Sequence, residues 1–194
     1  MWPEPVTLRG QHVTLAPLSL DHTESLSDAA SSVQGLWYTS VPTPQGVKAE
    51  IETRLAKQDA GIMLPFTQLL PDGRAVGMTT YMNIDAEQKR VEIGSTWLAK
   101  DAQRSGVNTQ AKRLLLAHAF DTLDCIAVEF RTHRLNMQSR RAIERLGAHL
   151  DGILRNHMAL PNGTFRDTAV YSILPHEWPT VRANLDAFLA RHSP

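Results

Sequence analysis

The stretch from Val91 to Ala148 constrains the fold of this chain most. It reads as a strand, a glycine-containing turn, an amphipathic helix, a second strand and an Asn-initiated helix closed by Gly147. The first strand, Lys89 to Leu98, sets Val91, Ile93 and Trp97 on one face. The segment Gln103-Arg104-Ser105-Gly106-Val107-Asn108 then leads into a helix from Thr109 to Leu123 with a broad apolar stripe (Leu115, Leu116, Ala119, Phe120, Leu123). A strand feeding a turn that opens directly into a helix aims several unpaired backbone N–H groups at one spot, and that spot suits an anionic phosphate. The second strand spans Ala127 to Thr132, and the second helix spans Gln138 to Leu146 with Gly147 as its left-handed cap.

The flanking text supplies the rest of a sheet and its cover. His12 to Pro17 reads as an edge strand, followed by a helical region from Leu20 to about Val33 that Ser19 or Asp21 caps. Gly35 to Gly46 is a loop with an aromatic wall of Trp37 and Tyr38, and Val47 to Ala60 is a second helix with Val47, Ile51 and Leu55 in register. Met63 to Leu70 and Ala75 to Asn83, joined by Pro71-Asp72-Gly73, form a hairpin. A last hairpin pairs His149 to Leu160 with Phe165 to Leu174 across Pro161-Asn162-Gly163. The tail from Pro175 to His192 is helical, with Trp178, Val181, Leu185, Phe188 and Leu189 on one face. The order β-α-α-β-β-β-α-β-α-β-β-α predicts a mixed α/β fold and one domain over residues 1–194. Its core covers about 10–175, with an extra C-terminal helix at about 176–192.

Composition narrows the function classes. At 194 residues the chain can bury a sizeable core, and 42% apolar with 21% charged residues is ordinary for a soluble globular protein. Twenty basic residues cancel twenty acidic ones, so the balance asks for neither nucleic acid nor an anionic membrane. The single cysteine, Cys125, excludes an internal disulfide framework and reads as a buried structural thiol. No apolar run reaches the ~20 residues needed to span a bilayer, and Met1-Trp2-Pro3-Glu4-Pro5 lacks signal-peptide character, so a cytoplasmic location is expected. The histidines form no metal-ligand spacing, and no metal is expected. A Gly-x-Ser-x-Gly nucleophile elbow is also missing.

Gln103-x-x-Gly106-x-Asn108 opening one helix and Asn136-x-x-Ser139 opening the next, within this order of elements, resembles the GCN5-related N-acetyltransferases (GNAT). More narrowly the chain is similar to the RimJ/RimL-type branch, which tends to end in a Pro-Asn-Gly-type hairpin followed by Arg-Asp and Tyr-Ser, here Arg166-Asp167 and Tyr171-Ser172. The resemblance implies a mostly antiparallel sheet splayed at a cofactor cleft and acetyl-CoA as acetyl donor. Pantetheine would pair with main-chain groups of Thr96, Trp97 and Leu98, and the pyrophosphate would sit over the N–H groups of Arg104, Ser105, Gly106, Val107, Asn108 and Thr109. The family pattern has Gly or Ala where this chain has Asn108, whose side chain either crowds the phosphates or caps the helix. Lys112 and Arg113 are either phosphate-facing charges or solvated surface. Asn136 is a helix cap, a cofactor ligand, or both.

The family's proton-donating Tyr falls at Ile143, and Ser139 takes the place that RimL-type proteins give to a serine beside the CoA sulfur. The implied reaction is direct transfer: an amine attacks the thioester, a main-chain N–H near Leu98 polarises the carbonyl, and the CoA thiolate leaves. Glu92 and His157 are the candidate bases, because Met158 or Ala159 stands where RimL-type enzymes carry a catalytic Glu. Tyr38 and Tyr81 are candidates to line the acceptor cleft. Two functions follow. One is an N-acetyltransferase acting on a small-molecule amine or a peptide N-terminus. The other is a catalytically weak acyl-CoA-binding sensor or interaction module. The amphipathic tail leaves a homodimer open.

Overall fold

The computed structural model describes residues 2–33, 35 and 37–191. Eight strands form one sheet: β1 (Leu8–Arg9), β2 (Thr14–Pro17), β3 (Met63–Leu69), β4 (Ala75–Asp85), β5 (Arg90–Leu98), β6 (Ala127–His133), β7 (His149–Ala159) and β8 (Phe165–Ile173). Their order is β1-β2-β3-β4-β5-β6-β8-β7. Every neighbouring pair is antiparallel except β5–β6, joined by the crossover that carries the glycine turn. The helices are α1 (Thr23–Ser31), α2 (Val47–Asp59), α3 (Val107–Ala117), α4 (Met137–Leu146) and α5 (Trp178–Ala190). The expected helix end at His192 lies outside the described residues, as does position 36 of the aromatic loop.

Alternation along the strands sorts the helices onto two faces. Thr67, opposite Met78 in register, contacts His22 at the head of α1 through its hydroxyl at 2.9 Å. Thr79 points the other way and meets α3, as does Tyr81, whose hydroxyl donates to the Leu115 carbonyl at 2.5 Å. So α1 and α2 cover β3 and β4 on one side, while α3, α4 and α5 occupy the opposite side. Strand β4 is sandwiched between them: Val76, Met78 and Tyr81 are fully buried. Tyr81 is therefore core packing on the α3 side, and the expectation that it lines an acceptor cleft is corrected. Cys125 is buried in the same core, and burial pushes its thiol up to about 12.

Two elements differ from the sequence reading. The helix expected from Thr109 begins at Val107, and its last part, His118 to Thr122, is a wider π-type turn. That turn lets Trp178 of α5 reach Asp121, the indole N–H donating at 2.9 Å. A short strand at Leu8–Arg9 was also not anticipated; two residues carry no periodicity to read.

Candidate active site

Strands β5 and β6 stay paired only from Arg90–Glu92 to Ala127–Glu129. Beyond that point β5 continues to Leu98 and β6 to His133, so two parallel strands part and leave a cleft at their carboxyl ends. Helix α3 starts at the end of β5 and α4 at the end of β6, which brings both helix N-termini to the mouth of the cleft.

The first mouth is the glycine turn. The backbone is left-handed at Arg104 (φ 63°) and again at Gly106 (φ 84°), the N-cap of α3, where the lack of a Cβ removes the strain. Among the described residues no side chain caps this helix, and its first internal bond is donated by Gln110 to the Gly106 carbonyl. The N–H groups of Val107, Asn108 and Thr109 thus precede the helical ladder and, with the helix dipole, make an end suited to an anion. The rest of the turn is fixed from within: Gln103 donates its amide to the Leu98 carbonyl at 3.0 Å, and the Ser105 hydroxyl donates to the Ala102 carbonyl at 2.6 Å. Arg145 of α4 donates to Thr109 Oγ1 at 3.3 Å, tying the two helices together. Asn108 does not cap the helix; its Oδ1 is buried without a partner among the described residues.

Lys112 requires a correction. With α3 beginning at Val107 it lies in the second turn and on the sheet-facing side, not beside the phosphate end. Its ammonium is buried, donating to Thr96 Oγ1 at 2.8 Å and Thr79 Oγ1 at 3.3 Å, and burial without a carboxylate brings it down to about 7. Arg113 instead pairs with Asp186 of α5 at 2.9 Å.

Facing the cleft, β5 carries a bulge. Ser95 (φ 45°) and Thr96 together oppose Thr79, between the register pairs Thr80–Gly94 and Met78–Trp97. Buried polar side chains brace it from both faces of the sheet. Gln68 donates to the carbonyls of Met78 (3.1 Å) and Trp97 (3.4 Å), and Arg54 of α2 donates to the Ser95 carbonyl at 3.3 Å. The Trp97 carbonyl passes so close to Gly77 that a Cβ there would lie 2.1 Å from it. The carbonyls of Trp97 and Leu98 are thus engaged by side chains, while among the described residues no strand lies beside the outer edge of β5 from Ile93 onward.

At the apex of the cleft stands Glu92, 5% exposed and on the face away from α3. Asn83 donates to its Oε2 at 2.7 Å, and Arg131 lies 3.5 Å away. Burial raises its carboxyl above the usual range, with Asn83 and Arg131 opposing the shift. Its register partner Glu129 behaves differently. Burial pushes Glu129 up as well, but hydrogen bonds from Arg90 and Arg131 outweigh it and leave this carboxylate below its ordinary value. Two neighbouring acids are thereby split into one held ionised and one poised to take a proton. His157, the other candidate base, is exposed on β7, with Nδ1 3.1 Å from Thr168 Oγ1. Thr168 also accepts from Arg166 at 2.9 Å, so one ring nitrogen of His157 is engaged within the hairpin.

Ser139 and Asn136 come together as the sequence suggested. Asn136 Oδ1 accepts the Ser139 N–H at 3.1 Å and so caps α4, while the Ser139 hydroxyl is half-buried with no partner among the described residues. Arg54, Gln68, Gly77, Glu129, Arg131 and His133 escaped the sequence reading. Glu129 and Arg131 left one trace: charges alternating with apolar residues in a strand flanked by helices.

The fold and sequence match known proteins. The model of the acetyltransferase (GNAT) domain matches residues 12–149. A Bacillus subtilis (strain 168) protein named "Putative ribosomal N-acetyltransferase YdaF" is 30% identical over 174 residues, covering 87% of this chain and 94% of its own. The crystal structure of a GCN5-related N-acetyltransferase from Brucella melitensis superposes with a TM-score of 0.84 at 33% identity, over 96% of this chain and 86% of that one. Mycobacterium smegmatis RimJ in complex with CoA-disulfide shares the fold, with a TM-score of 0.75 at 23% identity over 96% and 95% of the two chains. By its splayed parallel pair, its uncapped glycine turn and these likenesses, the chain belongs to the GNAT acetyltransferase family.

Proposed function

We propose that this acetyltransferase uses acetyl-CoA and acetylates the primary amine at the N-terminus of a peptide or protein. The observation that carries the reading is the parting of β5 and β6 beyond Glu92 and Glu129, with the anion-binding end of α3 opening onto the same gap. The donor set fits a nucleotide diphosphate: main-chain N–H groups at Val107, Asn108 and Thr109, with no side-chain cap competing for them. Acetyl-CoA supplies the activated acetyl group. The bulged edge of β5 presents main-chain groups along the cleft, braced by Gln68, Arg54 and Lys112. Glu92 takes the proton an attacking amine must lose, directly or through water, and its raised affinity for protons matches that task. Ser139, held at the start of α4 by Asn136, offers a hydroxyl to the departing sulfur. The acceptor reading is supported by the name of the Bacillus relative and by the Pro-Asn-Gly hairpin of the RimJ/RimL-type branch.

Thiol release measured with N-terminal peptides and small amines tests the reading. Peptides should turn over, and Gly106→Glu should abolish acetyl-CoA binding by placing bulk and negative charge in the anion site. Unaltered acetyl-CoA affinity in that variant would show the phosphate turn to be misassigned. Tight binding with no thiol released from any amine would mark the chain as an acyl-CoA-binding module instead.

A further inference from the structure

On the same face as Glu92 and four residues beyond its register partner Glu129, His133 closes the end of β6. It is 4% exposed, and Nδ1 accepts the Leu135 N–H at 3.0 Å. A neutral ring that accepts at Nδ1 carries its proton on Nε2, and burial together with Arg166 and Arg134 keeps this ring neutral by lowering its proton affinity. Nε2 is buried and has no partner among the described residues. A buried N–H donor is costly to leave without an acceptor, so this one calls for a partner.

The surroundings show what belongs there. His133 lines a cavity of about 300 Å³ between the aromatic loop, the end of β6 and the β7–β8 hairpin. Trp37 and Tyr38 pack on the imidazole with ring centroids 5.2 and 5.3 Å away. Trp37 and Phe165 both line the cavity and remain 54% and 61% exposed. At the rim, a single carboxylate, Asp167, is shared by Arg155 (3.0 Å) and Arg134 (3.4 Å) and accepts the Asn156 N–H, which leaves the rim net positive. An aromatic-walled slot with an unpaired N–H donor and a net positive rim fits a hydrogen-bond acceptor on a flat group.

Resting on the acceptor reading above, we propose that His133 is a specificity-determining residue whose Nε2–H donates to a backbone carbonyl of an extended acceptor peptide, with Trp37 packing against the peptide plane. A small amine with no such carbonyl leaves the donor unpaired and loses this contact. The protein therefore selects peptide chains over free amines.

Calorimetric titration of the CoA-saturated protein with a hexapeptide and, separately, with ethanolamine tests this without relying on turnover. The wild-type protein should bind the hexapeptide at least tenfold more tightly than ethanolamine. His133→Leu should weaken hexapeptide affinity about tenfold or more, leave ethanolamine affinity within twofold and leave acetyl-CoA affinity unchanged. His133→Gln, which keeps an N–H donor, should recover most of the loss. Trp37→Ala, at an exposed position that does not threaten folding, should also weaken the hexapeptide alone. Equal hexapeptide affinity in wild type and His133→Leu, or a wild-type protein that prefers ethanolamine, overturns the proposal. Loss of acetyl-CoA binding by the wild-type chain would instead strike at the proposed function, so the two failures are distinguishable.

Discussion

At the scale of single residues, two buried ionisable groups set the pH behaviour. Glu92 has its folded proton affinity raised by burial, so its contribution to stability is full below the unfolded carboxylate value and is lost as pH rises through the folded one. Glu92→Gln should therefore be at least as stable as wild type at neutral pH, while turnover falls by roughly 10²–10⁴ for loss of a general base. The acid limb of kcat/KM in the wild-type enzyme should lie above the ordinary carboxylate range and disappear in the variant. A variant with wild-type turnover would remove Glu92 from the mechanism. Lys112 works in the opposite direction. Its value, lowered to about 7 by burial, means that the unfolded chain binds the extra proton between pH 7 and the ordinary lysine value. Wild-type stability should accordingly rise with pH across that window and be lowest below it. Lys112→Met leaves Thr79 and Thr96 paired with each other at 2.8 Å and removes the buried charge. Thermal melts should show this variant more stable than wild type by on the order of 1–3 kcal/mol below pH 7, with the gain shrinking as pH increases. Parallel pH–stability curves for the two proteins would refute it.

At the scale of elements, the bulge of β5 is the part that makes the site, and Gly77 is the residue that permits it. A Cβ at position 77 would stand 2.1 Å from the Trp97 carbonyl oxygen and 3.0 Å from the Leu98 Cα, both backbone atoms that cannot swing aside. Gly77→Ala should cost about 1–3 kcal/mol by overpacking and weaken acetyl-CoA binding together with it, because the strand edge shifts. Denaturant melts and a titration of acetyl-CoA read both effects; a variant that loses neither would mean that the bulge is compliant. The bulge also explains what the sequence could and could not disclose. The order of strands and helices was readable, because Val91, Ile93 and Trp97 alternate and the Leu115–Leu116–Ala119 stripe repeats at helical spacing. The glycine turn was readable because Gly106 stands between a strand and a helix. What hid was long-range. Gln68 and Gly77 sit inside strand patterns where an amide or a glycine looks like a local weakness, and their purpose exists only once Trp97 is laid across them. Lys112 was misjudged from its nearness to the turn alone; three and four residues before Leu115 and Leu116, it shares their sheet-facing stripe.

At the scale of the whole molecule, the two helices that flank the cleft are held in place from outside the site by α5. Trp178 is its anchor, 4% exposed and 5.7 Å from the Phe120 ring, with its indole N–H on Asp121 and the Arg182 guanidinium 4.7 Å above the ring. From there α5 reaches α3 through Asp186 and Arg113, and α4 through Asn184, which donates to the Arg145 carbonyl at 3.1 Å. Arg145 in turn stacks on Phe188 and donates to Thr109 at the head of α3. The C-terminal helix thus braces α3 along its length and α4 at its C-terminal end, and Arg145 passes the contact on to the head of α3. Trp178→Ala should remove about 3–5 kcal/mol of stability through the cavity it leaves. For a chain of this length that corresponds to a fall in Tm on the order of 10 °C. Because α3 and α4 lose their common clamp, the variant should also bind acetyl-CoA more weakly, and saturating acetyl-CoA should recover part of the lost Tm by binding only the folded state. A large drop in Tm with unchanged acetyl-CoA affinity would show that the helix stabilises the core without governing the cleft. An unchanged Tm would show that it docks too weakly to do either.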